Sequence, residues 1–319
     1  MRLSVCVLLT AVCVTCAAPA RAQFKDGEPS GTKLGQVRVQ RWRAGLTVEA
    51  VGGACKGIVG YVPLPAEWPE QDVETTEEDV PADVKISYEV VEGVKLMLVK
   101  IPQLPANEKV RVTVTVKVRR HALLPPENTD GYVVPDLAKL ARPLRQYLMA
   151  SPKIETRDAR VRALAKEAGA DKEKAWEKVE AIYDAVREKV KFKTGDLKGA
   201  AAALKDGFGD CEDITSAFVA ACRAAGIPAR TVWVPGHCYP EFYLEDKDGK
   251  GHWFPCEAAG KRNFGGIAEA RPILEKGDNF RPPWNRRIQQ RYMSEYLNVT
   301  PTPGGGQPKV TFIRDQLGM

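Results

Sequence analysis

The amino-acid sequence predicts an α+β protein in two parts: an N-terminal β-sandwich of immunoglobulin-like type, then a mixed α+β domain. Three observations carry that prediction. Residues 34–121 hold six or seven short runs rich in β-branched side chains, broken by glycines and polar turns. Residues 171–190 and 211–225 repeat apolar side chains at three- and four-residue spacing, the period of an amphipathic helix. After the second of these come three strand-like runs, two of them joined by a polar, glycine-rich loop. A chain of 319 residues has room for about two domains, and 44% hydrophobic against 28% charged residues supplies cores for both.

The N-terminus reads as a secretory signal peptide over 1–22. Arg2 precedes an uncharged, mostly apolar run from Leu3 to Ala18, and Ala20-Arg21-Ala22 is a small-x-small cleavage signature before Gln23. The run is short for a membrane span, and Val14-Thr15 before Cys16 makes a poor lipoprotein box. A secreted or periplasmic location with no integral membrane segment after cleavage is therefore expected. Losing Arg2 and Arg21 takes the formal charge from +6 to +4 (45 basic against 41 acidic side chains). That is too mild to argue for a nucleic-acid partner.

In the sandwich region the strand candidates are Val37 with Val39, Thr47 to Val51, Ile58 to Val62, Lys85 to Val90, Val94 to Ile101 and Val110 to Val118. The last alternates valine strictly, the mark of a strand with one face buried. The acidic stretch Asp72 to Asp79 suits a solvated loop or an edge strand better than a metal site. Residues 122–135, with Pro125-Pro126 and Gly131, form the expected linker, and 136–290 the α+β domain. There the helix over 171–190 carries Trp176, Val179, Ile182 or Tyr183, Val186 and Val190 on one face, expected to pack behind the next long helix. Ala200 to Leu204 is a short helical piece before the Gly207-Phe208-Gly209 turn. The tail, 291–319, has a flexible Pro301 to Pro308 segment and a possible edge strand at Val310 to Ile313.

The chemistry concentrates at Gly209-Asp210-Cys211-Glu212-Asp213. Asp210 is a good N-cap, so Cys211 opens a helix marked by Ile214, Ala217, Phe218, Ala221, Cys222 and Ala225 and closed by Gly226 and Pro228. A thiol there feels the positive end of the helix dipole, which favours thiolate, while Glu212 and Asp213 oppose it. Thr231 to Val234 is a strand, His237 to Leu244 a second, and Glu245 to Gly251 a hairpin loop before a return strand His252 to Glu257. Folding that hairpin symmetrically about Lys247 pairs residues whose numbers sum to 494. His237 then faces Glu257 on one side and Cys238 faces Cys256 on the other. A slip by one residue would break both pairings.

The order of a cysteine at a helix start, Gly226-Ile227-Pro228-Ala229-Arg230 after the helix, then a histidine and an acid on neighbouring strands, resembles the transglutaminase-like superfamily over roughly 136–264. The resemblance implies a papain-like Cys–His–acid site in which Cys211 is the nucleophile, His237 the general base and Glu257, four residues after Trp253, the orienting acid. It implies a thiol enzyme acting on amide bonds of peptides or proteins, hydrolysis favoured over cross-linking, without cofactor or metal. The sequence departs from the family in having Glu257 where an aspartate is usual, Cys256 before it, and Cys238 after His237. These departures motivate the competing reading, a catalytically silent binding or scaffold module that keeps the fold.

Of 8 cysteines, Cys55, Cys211, Cys222, Cys238 and Cys256 remain after signal cleavage, an odd number that leaves at least one free thiol. Cys222 lies about 16 Å along the helix from Cys211, too far to bond it. Cys238 and Cys256 read either as a strained cross-strand disulfide or as two buried thiols. A zinc site is disfavoured because no paired C-x-x-C spacing is present, and Asp246 to Gly249 is a turn rather than a calcium loop because the later ligands are missing. His121 and His252 suit surface or packing roles.

Overall fold

The computed structural model of the chain describes residues 31–318, so the expected signal peptide lies outside the described residues. Six strands come first: β1 (Lys33–Val51), β2 (Cys55–Leu64), β3 (Gln71–Asp79), β4 (Lys85–Val91), β5 (Val94–Leu104) and β6 (Lys109–Leu124). Two of the expected short strands fuse. Val37 to Val51 is one continuous strand that runs through Gly45, a residue expected to separate two strands. A Cβ on Gly45 would lie 2.1 Å from the Val112 carbonyl oxygen on β6, so the glycine serves close strand approach rather than a turn. The acidic β3 is an edge strand, its carboxylates facing solvent.

The second half begins with the short helix α1 (Arg142–Arg145) and a single turn over 146–148, followed by α2 (Ala159–Gly169) and α3 (Ala175–Lys189). The strand pair β7 (Lys191–Phe192) and β8 (Phe208–Gly209) brackets α4 (Ala200–Asp206), and α5 (Cys211–Ala224) follows. Then come β9 (Ala229–Val234), β10 (His237–Glu245), β11 (Gly251–Glu257), β12 (Asn263–Phe264) and β13 (Glu275–Lys276). β14 (Tyr296–Thr300) and β15 (Gln307–Leu317) complete the chain. α3 starts four residues later than expected, at Ala175, where Lys174 occupies the N-cap position without a side-chain cap.

The strands form two four-stranded antiparallel sheets, ordered β15-β1-β6-β3 and β14-β2-β5-β4, and a five-stranded one, β12-β11-β10-β9-β13. The inner faces of the first two share one apolar cluster, including Leu46, Val48, Ile58, Met97, Val99 and Val112 to Val118 at alternate positions. The C-terminal stretch returns to these sheets. β15 pairs with β1 from Arg41↔Leu317 to Val51↔Gln307, and β14 pairs with β2.

The five-stranded sheet is covered on both faces. α2, α3 and α5 bury one face, where Trp176, Val179, Ile182, Tyr183 and Phe218 meet Phe242, Leu244, Phe254 and Cys256. The opposite face packs Val232, Val234 and Tyr239 against Leu123, Ile267 and Ile273. Between that face and the N-terminal sheets runs a buried chain of charges. Arg230 donates to Glu241 at 2.8 and 2.9 Å, Lys276 donates to Glu241 at 2.8 Å and to Glu70 at 2.7 Å, and Arg120 lies 3.7 Å from Glu70 while donating to Tyr239 Oη at 3.0 Å. Burial alone would push the Glu241 carboxyl up, but Lys276 and Arg230 outweigh it and hold it down at about 2.

Breaking a buried pair strands a charge, which costs about 3–5 kcal/mol. Glu241→Gln is therefore expected to lose stability of that order in urea unfolding at pH 7. The folded-state carboxyl titrates below its ordinary range, so its contribution is complete above about pH 4.3 and lost as pH falls towards 2. The variant's deficit relative to the parent should shrink as unfolding is repeated at successively lower pH across that window.

Candidate active site

The start of α5 is fixed by a reciprocal pair of carboxylates. Asp210 at the N-cap accepts from the Asp213 N–H at 2.9 Å, and Asp213 accepts from the Asp210 N–H at 3.3 Å, closing a capping box. The other Asp213 oxygen accepts from the N–H groups of Lys198 and Gly199 at 3.0 and 2.7 Å, tying the turn before α4 to the same helix end. A Cβ on Gly209 would sit 2.5 Å from that of Asp213, so only glycine lets the chain enter the helix this tightly. Cys211 is left half-buried as the first helical residue.

His237 begins β10 directly after the Pro235-Gly236 turn, with Gly236 at φ +70°. Its Nε2 lies 3.2 Å from Glu257 Oε2 at the end of β11, and Glu257 Oε1 accepts from the Ala259 N–H at 3.2 Å. His237 also couples to the Cys211 thiol, each shifting the ionisation of the other. With Nε2 on the carboxylate, Nδ1 is the nitrogen that serves the thiol. Cys211, His237 and Glu257 are thus brought together.

The register that does this is not the expected one. The observed pairs run from Glu241↔Pro255 to Glu245↔Gly251, sums of 496 rather than 494, so the hairpin is centred on Asp248 and not Lys247. The reason is local. Asp246 Oδ1 accepts from the N–H groups of Asp248 and Lys250 at 3.0 and 2.9 Å, and Gly249 takes φ +76°, so the turn closes over 246–250. A shift of two keeps side-chain parity. His237 and Glu257 stay on one face as diagonal neighbours instead of directly opposed ones.

The same shift separates Cys238 from Cys256, and all five described cysteines are free thiols. Cys256 Sγ lies 4.0 Å from the Pro240 carbonyl oxygen in the helix-side core. Cys238 turns towards α5, 3.9 Å from the Cys211 carbonyl oxygen. Burial pushes the Cys238 thiol well up, so it keeps its proton beside Cys211 and favours the thiolate there. Sequence reasoning placed Cys238 on the face away from His237 but missed this role. The alternation of β10 was the available signal, because the face opposite His237 is the one that meets the helix.

The electrostatics favour an ion pair. The Cys238 thiol contributes most, and His237 adds to it against burial, holding the Cys211 thiol down at about 4. Burial alone would lower His237, but the Cys211 thiolate and Glu257 carboxylate outweigh it and hold the imidazole up at about 9. The neighbouring acids that could oppose the thiolate are muted. Asp213 accepts from three backbone N–H groups across its two oxygens, and Glu212 lies 3.5 Å from Arg291 with its carboxyl pushed up mainly by burial. Arg271, which no sequence signal marked, clasps Glu269 and donates to the Pro235 carbonyl at 3.2 Å beside the histidine turn. Among the described residues, no group of three or more His, Cys, Asp or Glu side chains is arranged to hold a metal ion.

Alkylation of Cys211 by iodoacetamide is expected to persist down to about pH 4, because the sulfur is depressed and the thiolate–imidazolium pair spans about pH 4 to about pH 9. In His237→Ala and in Cys238→Ala the acidic limb of the rate profile should move to higher pH. An unchanged limb in both variants would contradict these contacts.

Comparison with known proteins bears on the fold that carries this geometry. Residues 162–258, which include Cys211, His237 and Glu257, match the family model of the transglutaminase-like superfamily. Among solved structures, a protein of Cytophaga hutchinsonii described as a candidate cysteine protease is similar to this chain at a TM-score of 0.56. It is 15% identical, over 90% of this chain and 93% of that one, so what is shared is the fold. A candidate protease of Parabacteroides distasonis aligns with 76% of this chain and 49% of its own at 15% identity, and its TM-score of 0.28 is too loose to argue from. No curated protein matches the chain. The match to the transglutaminase-like superfamily is thus carried by residues 162–258, from within α2 to just past β11.

Proposed function

We propose that the chain is an exported thiol enzyme that hydrolyses amide bonds of peptides or proteins through a Cys211 thioester. The observation that carries the reading is the contact line Cys211–His237–Glu257, with the sulfur held low and the imidazole held high. An ion pair poised across neutral pH is what nucleophilic attack and leaving-group protonation both require. In the same reading residues 34–121, completed by β14 and β15, form an immunoglobulin-like sandwich, with a linker at 122–135 and the catalytic domain at 136–290.

The Cys211 thiolate attacks the amide carbonyl carbon, forming a C–S bond and placing the carbonyl electrons on oxygen. The Cys211 N–H, an orphan donor at the start of α5, is the first group available to that oxyanion. Collapse of the tetrahedral intermediate breaks the C–N bond, and the His237 imidazolium protonates the departing amine. His237, now neutral, takes a proton from water as it attacks the thioester. The C–S bond then breaks, releasing the acid and restoring the thiolate–imidazolium pair. Glu257 acts through His237, fixing the imidazole orientation and stabilising its positive charge. Glutamate serves here because the diagonal register calls for a longer arm than directly opposed positions would.

The test is a peptide-amide substrate library presented to the mature protein, with product acid and amine both quantified. Cys211→Ala is expected to lower turnover by at least about 10³-fold, and His237→Ala comparably, because members of such a unit act together. Incorporation of a labelled primary amine in place of hydrolysis would turn the reading to acyl transfer. Absence of turnover together with an alkylation rate no faster than that of an exposed cysteine would leave a silent binding module. For export, the protein recovered from the periplasm or medium should begin at Gln23 by intact mass.

A further inference from the structure

The Glu257 carboxylate is only as well aimed as the main chain that carries it. Glutamate has one more rotatable bond than aspartate, and a site of this kind tolerates only about 0.5 Å of misplacement. After Glu257 the chain turns through Gly260, at φ +87°, and returns as β12, where the ladder consists of just Cys256↔Phe264 and Glu257↔Asn263. So short a ladder is a weak anchor for the end of a catalytic strand.

The remaining support comes from α3, on the far side of the sheet from the N-terminal strands. The Tyr183 hydroxyl donates to the Glu257 carbonyl at 2.6 Å, lies 3.3 Å from the Asn263 carbonyl, and accepts from the Asn263 N–H at 3.0 Å. It therefore bridges both strands of the turn at the residue that carries the carboxylate. Arg187, one helical turn further on, donates through Nη1 to the carbonyls of Glu257 and Ala258 at 3.2 and 2.8 Å. Its Nη2 donates to the Gly260 carbonyl at 2.6 Å. The guanidinium is directed at main-chain oxygens, and its carbon lies 5.3 Å from the Tyr183 ring centroid, so the two side chains brace each other. Tyr183 is itself locked by Phe218 and Phe264, with ring centroids at 6.0 and 5.2 Å, and is fully buried. The periodicity that marks Tyr183 as a core residue accounts for its ring. It does not account for a hydroxyl and a guanidinium converging on one turn.

We propose that Tyr183 and Arg187 are positioning residues that clamp the 257–263 turn from behind and so keep the Glu257 carboxylate on His237. The proposal rests on Cys211, His237 and Glu257 acting as one site, and not on any particular substrate.

The experiment is an NMR titration of His237 in the full mature chain, whose three histidines keep the assignment tractable. Tyr183→Phe retains the packed ring and removes only the hydroxyl. In that variant the His237 midpoint is expected to fall from about 9 by about one pH unit as the carboxylate drifts away. Arg187→Met should move it in the same direction, and Glu257→Gln should do so on its own. Adding Tyr183→Phe to Glu257→Gln should then produce no further fall, since the clamp works only through that carboxylate. A lowered Tm with the His237 midpoint unmoved in both clamp variants would make the contacts merely structural and overturn the proposal, as would full additivity with Glu257→Gln. The titration needs no turnover, so a failure of the hydrolysis reading shows in the substrate library and a failure of the clamp shows here.

Discussion

The buried Asp213 carboxylate is the contact on which the site is built. One of its oxygens closes the capping box with the Asp210 N–H, the other holds the turn at Lys198 and Gly199, and its Cβ demands a glycine at 209. Because these bonds end on main-chain N–H groups, they set where α5 begins and hence where the Cys211 sulfur stands. A carboxylate two residues from a nucleophile would ordinarily oppose its ionisation. Here its oxygens are taken up by three main-chain N–H groups, and the neighbouring thiol and imidazole hold the Cys211 thiol down.

The other half of the site rides on a sheet that is itself held from two directions. The helices bury one face in an aromatic and aliphatic core centred on Trp176, Phe242, Phe254 and Phe264. The opposite face is joined to the N-terminal sheets through Glu241, Lys276, Glu70 and Arg120. A buried ion chain is weak evidence for net stability, yet it is demanding in geometry, since each member must meet its partner to offset desolvation. It therefore fixes how the N-terminal sheets sit on β10 and β13. The C-terminal strands strengthen that arrangement by returning to β1 and β2. The last described strand, β15, thus closes on the first, β1.

Much of the site was legible because its signals are local. An aspartate before a cysteine, a glycine before that, and an apolar period after it suffice to read a helix with a thiol at its start. Val110 to Val118 likewise reads directly as a strand with one buried face. What escaped reading depends on neighbours distant in sequence. Gly45 looks like a break until Val112 is brought against it, and Tyr183 looks purely apolar until the turn at 257–263 lies over its hydroxyl. Arg271 and Glu269 have no motif at all. The hairpin register lies between these cases. Its side-chain parity followed from strand alternation, whereas its centre depended on how Asp246 bonds within the turn.

By itself the sequence determined the order of cysteine, histidine and glutamate, the helix that presents the cysteine, and the mixed α+β class, because periodicity, capping and turn chemistry act over a few residues. Only the tertiary structure decided that the register shifts by two, that Cys238 lies beside Cys211 instead of bonding Cys256, and that α3 reaches the backbone of Glu257. These outcomes turn on differences of an ångström or two between groups far apart along the chain. No local pattern encodes such distances; the packing of helices and sheets into one core sets them.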